Sequence, residues 1–381
     1  MQQELFFDKI KEHYTANLPF VVYRKPGESA VYSYLQLNDE LQYTKDFTEG
    51  GFVFAPFNLS ERVVLFSSEV SEKLQLETFN YNETDVINAY TVLTEEEHLA
   101  HVNLVAKGVE ALTANSGFKK VVLSRKEVLK TEKKDPLLLF QRILHTYPNA
   151  FCYCWYHPKV GLWLGATPET LLKIYRNKLA TMALAGTQKY VDTENVYWGD
   201  KEKMEQQIVT DTIVNALTPV LSNLEVSNVH THKAGTLLHL KTDISGRLSN
   251  NHGLKEVIEA LHPTPAVCGL PKEKAKAFIF NNENYRRTYY SGFLGELNNK
   301  TTVERNTNRR NVENSAYKAT VVSSHLFVNL RSMEMVEDEL HLFVGGGIVK
   351  DSDPEAEWQE TVHKTNTMKQ VLALKLPSRI K

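Results

Sequence analysis

The sequence predicts an α+β fold built on large, mostly antiparallel sheets. Many short β-rich runs are separated by Gly, Pro and charge clusters. Segments with helical spacing interleave with those runs without the strict strand–helix alternation of a parallel sheet. No internal repeat is present.

The first segment, MQQELFFDKIKEHY, mixes acids with apolar residues and reads as an amphipathic helix. It lacks the basic start, continuous apolar stretch and small-residue cleavage site of a secretory leader. The runs FVVYRK, AVYSYLQL, GFVFAPF and RVVLFSS suit a meander or sheet edge. Residues 1–93 therefore read as an N-terminal β-rich layer packed on the core, and 94–381 as the main functional region, effectively one globular unit. Thr94 and Glu97 form a capping box ahead of Leu99, Val102, Val105, Val109 and Leu112, so a long amphipathic helix starts at 95. Beyond Lys119, the strands KKVVLSRK, AFCYCWYH, GLWLG, TLLHLKTDISGRL, RTYYSGFLGEL, HLFVNLRSMEM and ELHLFVGGGIV interleave with helices near 136–146, 200–218, 253–261, 271–279 and 355–374. The Asn-rich stretch 298–320 reads as a surface excursion between two strands.

Charge excludes some partners. The 44 Lys and Arg nearly cancel the 46 Asp and Glu, so no global field draws the chain to nucleic acid or an anionic membrane, and any anionic ligand needs a local cluster. No apolar run approaches the roughly 20 residues that span a bilayer. Cys152, Cys154 and Cys268 are odd in number and show no zinc-like spacing, which fits a reducing cytoplasm, and Cys152 and Cys154, on one strand face, read as buried small hydrophobes. There is no phosphate loop, and Gly345, Gly346 and Gly347 lack dinucleotide spacing.

The chemistry-bearing residues have two readings each. Glu202 and Glu205 share one helix face, as do Glu357 and Glu360 with Lys364 beyond them. Such pairs either hold a hard divalent cation, magnesium or manganese, or are solvated surface charge. Of Lys119 and Lys120, neighbours on a strand, at most one faces an interior, where it is a candidate general base or an ordinary strand-start lysine. Glu169, after Pro168, is either a desolvated general acid or an acid in the first turn of a helix. Arg331, among apolar neighbours, should meet a carboxylate of a substrate or of the protein itself, and Arg287 invites the same pair of readings. The three glycines offer amides to an anion or mark a tight strand end. His239 contacts a ligand or is a satisfied core histidine.

Together and in this order, the segments KVVLSR, GATPETLL, ALAGT, KEKMEQQIV, LLHLKT, LHPTPAVCGLP, RTYYSGFLG, FVNLRS and GGGIVKDSDPEAEWQETVHK resemble the chorismate-utilising enzymes, which include isochorismate, anthranilate, aminodeoxychorismate and salicylate synthases. The resemblance covers residues 120–364 closely. It implies two large packed sheets ringed by helices, with the site between them. By motif, Lys120 would be the base that activates water and Glu169 the acid that protonates the departing hydroxyl. Glu205 and Glu360 would be the main Mg²⁺ ligands, supported by Glu202 and Glu357. Magnesium would hold the ring carboxylate of chorismate. Arg331, Lys364 and amides around Gly346 and Gly347 would hold the enolpyruvyl carboxylate. Ala185, Gly186, Thr187, His239 and Ala266 would line the ring pocket.

The loop LHPTPAVCG, with apolar Ala266, resembles the water-using isochorismate branch, whereas ammonia users typically read HPTGT there. The resemblance thus implies an isochorismate synthase acting as a monomer without an amidotransferase subunit. A salicylate synthase ranks second, an ammonia-using enzyme third. A non-catalytic scaffold should have lost Lys120, Glu169 or a metal-ligand glutamate, and none is missing. Whether the product feeds menaquinone, siderophore or salicylate synthesis depends on the next enzyme. Two departures from the family pattern are Gln206, where many relatives have His, and Cys268, in place of Gly or Ser.

Overall fold

The computed structural model describes residues 1–81, 88–91, 94–131, 135–234, 237–249, 252–304 and 318–374. In chain order its elements are α1 (Gln3–Thr15), β1 (Phe20–Arg24), β2 (Val31–Gln36), β3 (Gly51–Ala55), β4 (Val64–Ser67), β5 (Ser71–Leu76), β6 (Asn88–Thr91), α2 (Glu95–Ala114), β7 (Lys120–Thr131), α3 (Pro136–Thr146), β8 (Phe151–His157), β9 (Gly161–Thr167), β10 (Thr170–Tyr175), β11 (Lys178–Lys189), α4 (Asp200–Leu217), β12 (Leu221–Val226), β13 (His230–Ala234), β14 (Leu237–Leu248), α5 (Leu254–Leu261), β15 (Gly269–Leu270), α6 (Lys272–Asn282), β16 (Phe293–Glu304), β17 (Lys318–Val328), β18 (Ser332–Val336), β19 (Glu339–Ile348), α7 (Pro354–Lys369) and β20 (Ala373–Leu374).

The strands form two sheets. The first runs β20-β6-β7-β19-β18-β9-β8-β1-β2-β5 with β15 beside β7, and the second runs β12-β14-β11-β10-β17-β16-β3-β4 with β13 beside β14. Among the described pairings only β20 with β6 is parallel. The α+β architecture of two large, mostly antiparallel sheets is therefore the one observed. The early strands enter both sheets, because β1 pairs with β8 while β3 pairs with β16.

Between the sheets lies an aromatic seam. Phe66 stacks on Trp155 with centroids 5.2 Å apart, and Phe151 on Phe327 at 4.2 Å. Offset or edge contacts of this kind add to plain area burial. Helices α1 and α3 cover the outer face of the first sheet through Phe6, Ile10, Phe140 and Ile143. Helices α4 and α5 cover the second through Val209, Ile213, Val257 and Ile258.

Helix starts follow local chemistry. The Thr94–Glu97 capping box opens α2 as expected. Asp135 and Asp353 each cap a helix whose first residue is proline, a position where the missing N–H costs nothing. The segment predicted as helix to 374 ends instead at Lys369, and Ala373 and Leu374 pair with β6. The polar stretch from 298 is partly strand: β16 and β17 continue to Glu304 opposite Lys318. The remainder of that predicted excursion, 305–317, lies outside the described residues. No helix among the described residues is long and apolar enough to cross a membrane.

Candidate active site

Strand alternation decides what faces the space between the sheets. On β7, Lys120 and Val122 line a cavity of about 880 Å³, together with Phe343, Gly345 and Gly347 of β19. Their strand neighbours Val121, Leu123 and Ile348 pack outward with Val105 and Leu112 of α2 and Ala275 and Ile279 of α6. Strand spacing alone left open which of two adjacent lysines turns inward, and the family resemblance implied Lys120. Lys120 is buried and Lys119 is exposed at the rim.

The second sheet supplies the facing wall, with Ala185, Gly186 and Thr187 of β11, His239 of β14, and Glu169 just before β10. Helix α4 contributes Glu202 and Glu205, helix α7 contributes Glu357, Glu360 and Lys364, and Ala266 and Arg331 complete the lining. One candidate falls outside. Gly346 does not line the cavity, because alternation turns it to the other face, where a Cβ would stand 3.1 Å from Glu357 Oε2. The amides available to an anion are instead those of Gly345 and Gly347. At these registers β7 directs its groups away from β19: Val122 N donates to Cys268 O at 2.8 Å and Ser124 N to Glu283 Oε1 at 2.8 Å. Antiparallel alternation then points the Gly345 and Gly347 groups off the opposite edge of β19, where Gly345 O accepts from Lys364 Nζ at 3.0 Å.

Glu169 is not in a helix. The residue is 8% exposed, and burial raises its carboxyl to about 7 against the opposing pull of Lys120 and Arg331, so near neutral pH it carries a proton part of the time. His239 bonds through Nδ1 to Gly186 O at 3.0 Å, and burial lowers the imidazole to about 4. It is therefore both a satisfied core histidine and a neutral wall of the cavity.

The two arginines divide between the two readings. Arg287 is internally paired, donating to Glu283 at 2.5 and 2.8 Å and to Val122 O at 2.6 Å. Arg331 makes no ion pair among the described residues; its Nη1 reaches only Lys364 O and Thr367 Oγ1, both at 3.4 Å. An uncompensated guanidinium in a cavity wall is a ready anchor for an anion.

The carboxylates lie beside lysines. Glu205 accepts from Lys120 Nζ, and Glu360 from Lys364 Nζ at 2.5 Å. Lys364 holds Glu360 below the ordinary carboxylate range. Glu357 accepts from Ser352 Oγ at 2.7 Å, and the Glu202 carboxylate folds back over Gly199. Among the described residues no three acidic, histidine or cysteine side chains are gathered into a ready-made metal cage. The four glutamates share a cavity without converging on one point.

Tyr290 was not read as a site residue from the sequence, and Gln206 stood out there only as a departure from the family pattern. Tyr290 lines the cavity, and its hydroxyl would lie 3.2 Å from a Cβ at Gly345; in RTYYSGFLG attention fell on Arg287. Gln206 is buried and reaches Ala183 O at 3.1 Å and Thr242 Oγ1 at 3.0 Å, so it ties α4 to the sheet that carries the ring-pocket wall.

Gly347 is needed for a close approach, since a Cβ there would stand 2.8 Å from Lys120 Cε and 3.7 Å from Glu205 Oε1. Gly347→Ala should leave the melting temperature within a few degrees, because the clash meets only a flexible side-chain end. It should displace Lys120 from Glu205 and lower kcat by about tenfold or more, as supporting-group changes do. Wild-type kcat in a folded Gly347→Ala protein would contradict this.

Comparison with known proteins gives the family and the fold. A family model described as chorismate binding enzyme matches residues 83–370. A putative isochorismate synthase from Aeromonas hydrophila is 31% identical over 276 residues, covering 69% of this chain and 64% of that protein. The chloroplastic isochorismate synthase of Catharanthus roseus is 27% identical over 274 residues, covering 69% of this chain and 43% of that protein. The chain thus spans less than two thirds of the length of these relatives. A solved structure, the putative 2,3-dihydroxybenzoate-specific isochorismate synthase of Bacillus anthracis, superposes with a TM-score of 0.74 at 21% identity, covering 96% of this chain and 98% of that one.

Proposed function

From the premise that this chain belongs to the family of chorismate binding enzymes, we propose that it is a magnesium-dependent isochorismate synthase. One observation carries the reading: Lys120 from one sheet and the partly protonated Glu169 from the other line a single cavity that also holds the unpaired Arg331. Chorismate is a dianion. The lining carries five bases (Lys119, Lys120, Arg331, Lys350, Lys364) and six acids (Glu169, Glu202, Glu205, Asp351, Glu357, Glu360), while His239 is neutral. Such a lining lacks the positive charge to hold a dianion unaided, and a divalent cation restores it.

The donor set fits magnesium, because carboxylates are the hard oxygen ligands that ion prefers. Glu205 and Glu360 would hold it, with Glu202 and Glu357 in support. Bound there, magnesium supplies charge to the ring carboxylate of chorismate. Arg331 and Lys364, with the Gly345 and Gly347 amides, hold the enolpyruvyl carboxylate. Lys120 takes a proton from water as the oxygen adds at C2, the double bonds shift, and Glu169 gives its proton to the hydroxyl leaving C4. One water enters and one departs, so the reaction is an isomerisation. Because water is the nucleophile, no amidotransferase subunit is required, and the apolar Ala266 gives an incoming ammonia no acceptor.

Purified protein with chorismate and Mg²⁺, without any ammonia source, tests this directly. Isochorismate as the accumulating product is expected. Salicylate with pyruvate, an aminated product formed only after ammonia is added, or no turnover would overturn it.

A further inference from the structure

Helix α7 has a weak apolar stripe, so its orientation needs another cause. Its cavity side is Glu357, Glu360 and Lys364. Its packed side is Trp358, Thr361 and Thr365, each the next residue along. The two sides therefore differ by one residue, about 100° of helix rotation. Only Trp358 and Met368 among the buried residues of α7 are apolar, and burial alone would specify the rotation weakly.

Polar contacts specify it instead. Arg125 of β7 donates through Nε to Thr361 Oγ1 at 2.8 Å, and its guanidinium lies 4.3 Å from the Trp358 ring centre. Both contacts are made to the immediate successors of cavity glutamates. Glu127, fully buried two residues along the same strand face, accepts from Arg125 at 3.1 and 3.2 Å and also from Lys369 at the end of α7. Buried ion clusters of this kind are weak contributors to stability, and their best-attested use is fixing register. The inner face of β7 presents Lys120 to the cavity while its outer face grips α7. One strand thereby fixes the base relative to the glutamates.

We propose that Arg125 is a positioning residue for the reaction: by holding Trp358 and Thr361 it sets the rotation of α7, so that the side carrying Glu357, Glu360 and Lys364 looks into the cavity. The inference rests on the functional reading above for what that side does, though not for which way it faces.

The test uses Arg125→Met with Thr361→Val as a milder second variant, and reads orientation and chemistry separately. Cys152, Cys154 and Cys268 are all buried and should be silent toward a maleimide. A thiol introduced by Lys364→Cys should label at least tenfold faster when combined with Arg125→Met, with the native cysteines still silent. With residue 364 intact, Arg125→Met should weaken Mn²⁺ binding, followed by electron paramagnetic resonance, and lower kcat by roughly 10- to 100-fold. Arg125→Lys should fail to restore either, because lysine keeps the charge beside Glu127 but loses the Nε donor and the flat stacking face. Equal labelling rates in both backgrounds would overturn the proposal. So would native cysteines that become reactive together with the introduced one, or full recovery by Arg125→Lys. A wild-type protein that binds no Mn²⁺ would defeat the metal reading, while the labelling rates would still decide the rotation of α7.

Discussion

Replacing Glu169 by Gln should abolish most turnover while raising stability at neutral and alkaline pH. Gln keeps the shape and hydrogen-bonding capacity of a protonated carboxyl but cannot release a proton to the hydroxyl leaving C4. General acid catalysis is worth about 10² to 10⁴ in rate, and kcat should fall by that order. The stability effect follows from the raised pKa. Folded, Glu169 titrates at about 7 against 4.5 for an ordinary glutamate. Between those values the native state holds a proton that the unfolded chain has lost, so wild-type stability declines as pH rises. Above pH 7 the buried carboxylate costs about 3 kcal/mol, because moving a titration midpoint by a full pH unit takes about 1.36 kcal/mol. Glu169→Gln removes that cost. Its stability should match the wild type near pH 4.5 and exceed it increasingly up to about pH 8, as denaturant titrations at each pH will show. Activity of the wild type should fall above about pH 7, where the acid form is lost. A variant that turns over normally, or whose stability parallels the wild type at every pH, would remove Glu169 from the acid's role.

Lys120→Ala should produce the second large loss, again about 10² to 10⁴ in kcat, through the missing proton acceptor for water. The fold should survive, because the partner Glu205 keeps 28% of its side chain exposed and can be hydrated once the lysine is gone. A small primary amine added in solution should fit the space left by the side chain and restore part of the rate. That recovery should track the amine's free-base concentration. A folded Lys120→Ala protein with undiminished kcat contradicts the base assignment, and a loss that no amine repairs argues for a purely electrostatic role.

Much of this molecule was legible because its signals are local. The Thr94–Glu97 box, the Asp–Pro starts of α3 and α7 and the apolar runs of β7, β8 and β19 each follow from neighbours a few residues apart. The hairpin of β10 and β11 was missed although its turn is visible: Arg176, at φ 56°, and Asn177 separate two alternating runs. Partner choice was not legible. Nothing in GFVFA tells it to lie beside FLGEL, since both runs would pair with any apolar strand. In the site, residue types and helix spacing pointed to the glutamates and put Lys364 on the face of Glu360, but did not bring Lys120 to Glu205. Gly346 was expected in the lining because motif reading treats adjacent glycines as equivalent, whereas strand alternation separates them. Tyr290 and Arg125 lie in quoted motifs, yet their importance comes from contacts with distant residues.

The seating of β3 against β16 has a consequence during synthesis. Residues 51–55 meet their partners at 293–297. At about 5 to 20 residues per second, a ribosome needs roughly 10 to 50 seconds to supply them. Throughout that interval an uncharged strand, GFVFA, has β4 on one side and leaves its other edge without its eventual neighbour. Such a segment is a template for pairing with the same segment of another nascent chain. Yield of folded protein in a cell should therefore depend on holding chaperones and on slow expression more than on the thermodynamic stability of the finished fold.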